Sequence, residues 1–232
     1  LITHDLGIVN ELADRVAQAE ADLRGADSGA RTAGERVVVP AFPATALVPS
    51  VLATEAAGVC LVPFGADLTA PRREDLTRRA RASSGPPSSV LIHTSGTTGS
   101  PRAARLQLHA LLASARSVVD ATGLQPGDAW FSALPLHHVG GLGVILRCVL
   151  AGAAMVLDDR FEPDSSAAAL RSGWVTHASF VARALERTLD AAGDAPFSPS
   201  LRWILVGGGP SASALLHRAR RLSLPVVTTY GL

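Results

Sequence analysis

The sequence predicts an α/β fold: a layered, largely parallel sheet with helices on both faces. Three observations predict it. From Val90 onward, short apolar runs alternate with segments of helical periodicity, and strands separated by helices pair in parallel. The chain has 232 residues, long enough to close a large core. Hydrophobic residues make up 47% and charged residues 18%, a globular balance, and aromatics at 4% leave Ala, Leu and Val to fill that core.

Residues 1–24 read mostly as one helix, with Leu12, Ala13, Val16 and Ala17 on one face. Gly25 to Arg36 is rich in Gly, Ala and charge and reads as a linker, so 1–36 is expected to pack loosely or apart from the rest. Val37–Val39 reads as a short strand stopped by Pro40. Pro49–Ala57 reads as a short apolar helix with Pro49 in its first turn. Gly58 ends it, and Val59–Val62 is the strand that follows. Arg72, Arg73, Arg78, Arg79 and Arg81 read as a solvated helix face. Ser83–Ser89 is a loop or hinge by composition. Val90–His93 is a strand running into a Gly-rich loop. Leu108–Ala121 has helical periodicity and stops at Gly123. The alternation then continues: strand Ala129–Leu134, helix Gly141–Leu150, strand Ala153–Leu157, helix Ser165–Ser172, strand Val175–Ala178, helix Val181–Ala192. It closes with strand Leu201–Val206, helix Ser211–Leu222 and strand Pro225–Thr229.

Charge and composition exclude some functions. A formal net charge of +1 argues against a dedicated nucleic-acid binder. No stretch is apolar for the length of a membrane span, and Leu1–Leu6 carries His4 and Asp5 without a basic start, so neither a membrane anchor nor a signal peptide is read. The chain begins with Leu rather than Met, so its start need not be the natural one. Cys60 and Cys148 stand far apart in apolar settings and form neither a metal-ligand pattern nor a disulfide framework. They read as buried small hydrophobes of a reducing compartment, which places the protein in the cytoplasm.

The sharpest motif is Thr94-Ser95-Gly96-Thr97-Thr98-Gly99-Ser100-Pro101-Arg102, directly after a strand. Its glycines let the backbone turn tightly and aim N–H groups at one point. The hydroxyls of Thr94, Ser95, Thr97 and Thr98 add donors, and Arg102 adds a fixed charge. That combination suits a phosphate cradle. The spacing is not that of a Walker A loop. Another motif is Leu134-Pro135-Leu136-His137-His138-Val139-Gly140-Gly141-Leu142, which sets His138 near a helix N-terminus, where a carboxylate is favoured. A third is Gly207-Gly208-Gly209-Pro210, a turn bare of side chains on which a flat ring can lie, with Ser211 or Ser213 available to cap the next helix. The fourth is the terminal Thr228-Thr229-Tyr230-Gly231-Leu232.

Together these motifs resemble those of the adenylate-forming superfamily of acyl-CoA synthetases, luciferases and peptide-synthetase adenylation domains. The Ser/Thr/Gly motif is similar to that family's T-S-G-T-T-G-x-P-K-G loop, with Arg102 at the Lys position and Ala103 at the following Gly. The histidine motif resembles its P-L-x-H-x-x-G pattern, where His138 takes the place of the acid-side histidine. His138-Val139-Gly140-Gly141-Leu142 is most similar to the o-succinylbenzoate–CoA ligases of menaquinone biosynthesis. The triple-glycine turn resembles the G-G-A-P loop, with Gly209 for Ala. The terminal motif resembles the start of Y-G-x-T-E.

The resemblance implies ATP-dependent conversion of a carboxylic acid to an acyl-adenylate and then to a CoA thioester. ATP, Mg²⁺ and CoA are its cofactors and co-substrates. Thr94, Ser95, Gly96, Thr97, Thr98, Gly99 and Arg102 would hold phosphates, and His138 would orient the acid. Gly207, Gly208, Gly209, Pro210, Thr229, Tyr230 and Gly231 would hold adenine. No residue of the chain is assigned to the metal. The partners implied are an acid, ATP and CoA, with no nucleic acid and no membrane, and a homo-oligomer is left open. The resemblance covers about 37–232, read as a partial N-terminal domain of the adenylate-forming fold without its C-terminal domain; such a truncated chain is expected to be inactive alone. Ligases for other aryl or fatty acids, or a non-catalytic nucleotide-binding remnant, are the alternatives.

Residues 1–18 resemble something else. Leu1-Ile2-Thr3-His4-Asp5-Leu6-Gly7 and Glu11–Val16 are similar to the switch-histidine region of oligopeptide-type ABC transporter ATPases. With no Walker A, signature loop or Walker B in the chain, His4 has no nucleotide to serve, and 1–36 reads as a leader or foreign segment plus linker.

Overall fold

The central strands form where apolar runs are buried on both sides. The computed structural model describes residues 15–23, 36–41, 44–65, 68–81, 89–94, 102–157 and 160–229. They divide between two compact units, one spanning Asp5–Ser114 with Pro135–Val139, the other Ala115–Leu134 with Gly140–Leu232. The α/β class expected from the alternation is observed, with the strands shared between two sheets rather than one.

In the first unit residues 15–23 are helical (α1), and Ala19 and Leu23 are buried. This helix falls within the same compact unit as the strands after it. The remainder of 1–35 lies outside the described residues. β1 (Arg36–Pro40), β2 (Cys60–Phe64), β3 (Ser89–Thr94) and β4 (Arg102–Gln107) form a sheet in that order. β1, β2 and β3 pair in parallel, and β4 is antiparallel to β3. Cys60, Val62 and Leu91 make an apolar cluster flanked by Val38 and Leu76.

α2 (Ala44–Ala57) begins well before Pro49, which sits inside it. An internal proline loses one backbone hydrogen bond and crowds the preceding turn. The completely buried Leu47 and Val51 offset that cost by placing apolar side chains on either side of the proline in the core. Gly58 ends the helix in the left-handed region, at φ 66. The arginine-rich segment is α3 (Ala70–Arg81), largely exposed, with Asp75 paired to Arg78 and Arg79. β4 is the element that patterning did not reveal. Ala103, Ala104 and Arg105 are exposed, so no alternation marks the strand; its register with β3 holds it in place as an edge.

α4 (Leu108–Thr122) ends at Gly123, φ 62. The second unit follows: β5 (Ala129–Ser132), α5 (Val139–Ala151), β6 (Ala154–Leu157), α6 (Pro163–Arg171), β7 (His177–Val181), α7 (Ala182–Ala192), β8 (Trp203–Gly207), α8 (Ser213–Arg221) and β9 (Val226–Thr228). Its sheet is wholly parallel, in the order β6-β5-β7-β8-β9. All four residues of β5 and the first four of β7 are buried, as central strands covered on both faces must be. Phe131 and Phe180 pack at 5.7 Å within a core that includes Leu170, Leu185, Leu189 and Ile204. The buried stripe of α7, Ala184, Leu185, Thr188, Leu189 and Ala192, has the spacing of one helix face.

Candidate functional site

Each candidate element sits at a strand end or helix start. β3 and β4 pair along their whole length, up to Thr94 opposite Arg102. Antiparallel partners lie about 5 Å apart, so the register brings the two ends of the Ser/Thr/Gly motif together at one end of the sheet. Ser95, Gly96, Thr97, Thr98, Gly99 and the rest of 95–101 lie outside the described residues.

The His138 motif is a turn that runs straight into α5. The His138 N–H donates to the Pro135 carbonyl at 3.1 Å, Leu136 is buried beneath, and α5 starts at Val139. His138 is exposed, and its ring lies against that of His137, 4.3 Å between centroids. One glycine of the pair answers to the protein's own packing: a Cβ on Gly140 would sit 3.0 Å from Leu134 Cδ1.

The three glycines at the end of β8 and just beyond it have three different reasons. Gly207 has Thr229 Oγ1 where a Cβ would go. Gly208 takes φ 80, and its Cβ would lie 3.1 Å from Val181 Cγ1. Gly209 opens onto free space, with no atom within 4 Å of a Cβ. Gly208, Gly209 and Pro210 are exposed, at the carboxyl end of β8. The helix after the turn is capped by neither candidate serine: its N-cap is Ala212, with no side-chain hydrogen bond. Backbone positions set that boundary, which two nearby serines could not reveal. Thr229 donates its N–H to the Val206 carbonyl at 2.8 Å. Tyr230 and Gly231 lie outside the described residues.

The sequence reading gives Arg147 no role, although a lone cation in the apolar run Val144–Ala151 is itself a signal. Its guanidinium lies 5.2 Å from the Trp130 ring and beside Gly143. Burial lowers its pKa from the usual arginine value, and its Nε has no hydrogen-bond partner. Among the described residues no carboxylate pairs with it. A partly buried guanidinium that no carboxylate pairs with favours an anionic neighbour. Cys148 beside it is no nucleophile, because burial pushes its thiol up to about 12. Both cysteines are free and buried, as expected. His177 is structural: fully buried, stacked on Trp130 at 5.0 Å, its Nδ1 2.8 Å from Thr176 Oγ1. Among the described residues no group of three His, Cys, Asp or Glu could hold a metal ion, and no helix is long and apolar enough to cross a membrane.

A family model described as AMP-binding enzyme matches residues 87–232. The chain belongs to the AMP-binding enzyme family. All four motifs, from Thr94 to Leu232, fall inside the matched region. Among curated relatives, this family member is 35% identical over 143 residues to the 2-succinylbenzoate–CoA ligase of Bacillus cytotoxicus, covering 62% of the chain and 30% of the ligase. Among solved structures, it is similar to a double mutant of o-succinylbenzoate CoA synthetase from Bacillus subtilis bound to a product analogue. That match has a TM-score of 0.79 and 23% identity, covering 96% of the chain and 53% of the synthetase. The same synthetase in complex with ATP and magnesium ion matches with a TM-score of 0.77 and 23% identity, covering 96% of the chain and 54% of the synthetase. This AMP-binding chain therefore shares part of the fold of adenylate-forming synthetases. It spans 30% of the length of the curated ligase.

Proposed function

We propose that this chain is the acid- and nucleotide-binding part of an ATP-dependent acid–CoA ligase whose acid is o-succinylbenzoate, the activity of menaquinone biosynthesis. One observation carries the reading: the four motifs occur in order within the region that matches the AMP-binding family. A carboxylate attacking the α-phosphate of ATP must approach another anion. Thr94–Gly99 and Arg102 supply N–H, hydroxyl and guanidinium groups that offset this repulsion at the phosphates. Gly207–Pro210, Thr229 and Tyr230 hold adenine. His138, exposed at the start of α5, orients the reacting carboxylate. Mg²⁺ supplies charge neutralisation at the phosphates when bound. Among the described residues no group of three His, Cys, Asp or Glu could hold it.

The acid is supported by the named relatives and by Arg147. o-Succinylbenzoate carries two carboxylates. Whichever reacts, the other stays an anion and needs a cation, and Arg147 is a partly buried cation that no carboxylate among the described residues pairs with. The two buried free thiols fit a cytoplasmic protein, and the partners are small molecules. The test is pyrophosphate release and thioester formation by a protein that joins this chain to the remaining length of its relatives, with o-succinylbenzoate, aryl and fatty acids offered in parallel. Preference for o-succinylbenzoate supports the reading. Preference for another acid moves it within the superfamily, and AMP binding without pyrophosphate release makes the chain a non-catalytic nucleotide binder.

A further inference from the structure

We infer that Thr229 is a positioning residue for the nucleotide, a latch tying the strand end that leads into Tyr230 to β8 at Val206, just before the glycine turn, and that Gly207 is glycine to admit it. The inference rests on the adenine-site reading above and adds how that site is held together.

β9 is a short strand at the edge of the described sheet, exposed at Val227 and Thr228, and its register with β8 ends at Thr228 opposite Val206. Just past that point Thr229 bonds one acceptor twice. Its N–H donates to the Val206 carbonyl at 2.8 Å, and its hydroxyl donates to the same oxygen at 3.3 Å. This lays Oγ1 over Gly207, in the place a Cβ would occupy. The rest of Thr229 would stay clear: from that Cβ, Thr229 Cβ lies at 3.8 Å and its carbonyl oxygen at 3.9 Å. The hydroxyl is therefore the atom that a side chain at 207 would displace. The backbone does not demand glycine there, since Gly207 is absent from the positive-φ residues that include Gly208 and Gly209. The pair is coupled in size, and one hydroxyl sets how closely the approach to Tyr230 lies to the exposed turn.

The experiment measures AMP affinity of the purified chain by calorimetry, with amide hydrogen exchange of residues 225–232 as a ligand-free readout. Thr229→Ala is expected to weaken AMP about two- to tenfold, the worth of one hydrogen bond, and to speed exchange of that segment. Thr229→Ser keeps the hydroxyl and restores affinity to within about twofold of the parent. Gly207→Ala weakens AMP because it displaces the hydroxyl. Combined with Thr229→Ala it adds nothing further, because the obstructing atom is gone. Losses that multiply in the double variant would show that the ligand itself requires glycine at 207, and would overturn the latch. Unchanged exchange in Thr229→Ala would overturn it too. A parent chain that binds no AMP refutes the nucleotide function, and the exchange data then decide the latch separately.

Discussion

Replacing Arg147 with methionine separates binding from stability. The substitution keeps a long side chain and removes the charge. Without a bound anion, burial already disfavours that charge, and the Trp130 ring at 5.2 Å offsets only about 0.5–2 kcal/mol of the penalty. Removing the cation should therefore leave the melting temperature unchanged or raise it. The anion it would receive is another matter. A charge-assisted hydrogen bond contributes about 1.5–3 kcal/mol, or about ten- to a hundredfold in Kd. Calorimetry with o-succinylbenzoate and with a monocarboxylate analogue lacking the non-reacting carboxylate distinguishes the terms. Arg147→Met should weaken the dicarboxylate by that factor and the monocarboxylate hardly at all. Arg147→Lys should recover only part, because an ammonium restores charge without the guanidinium's fixed fork of donors. Equal weakening of both acids, or a collapse of the melting temperature, would refute the assignment of Arg147 to the non-reacting carboxylate.

Three other outcomes are expected. His138→Ala should weaken acid binding more than His137→Ala, since His138 directly precedes α5; equal losses in a titration would remove its assigned role. His177 is held below its ordinary value of 6.5, chiefly by burial, with the Thr122 carbonyl and Asp128 opposing and Arg202 adding. The unfolded chain therefore takes up this proton first. Stability is full above about pH 6.5 and falls as pH drops below it. Melting temperatures measured between pH 8 and 5 should show this loss, and His177→Phe should flatten it. Phe131→Ala, at a fully buried position against Phe180, should cost about 3–5 kcal/mol in a urea titration, with an unchanged slope.

What the sequence made legible follows from locality. Gly58 and Gly123 end helices because a left-handed residue needs glycine, and that need is written at one position. The central strands were readable because Ala129–Ser132 and His177–Phe180 are buried on both faces. The motifs were readable because turn chemistry and hydroxyl donors lie next to one another in the chain. β4 was not, because RAARLQ is ordinary as a string and becomes a strand only through its register with β3. The start of α2 was hidden because a proline rule spoke against a helix there, and burial of Leu47 and Val51 outweighed it.

The sequence by itself determined the α/β class, the order of elements and the family, since these rest on periodicity and on contiguous motifs. Only the tertiary structure decided what each glycine is for, that no carboxylate among the described residues pairs with Arg147, and that Thr229 stands over Gly207. The physical reason is that each of these depends on an atom brought close by strand pairing or helix packing, from residues that share no window of the chain: Gly207 on Thr229, Gly208 on Val181, Arg147 on Trp130.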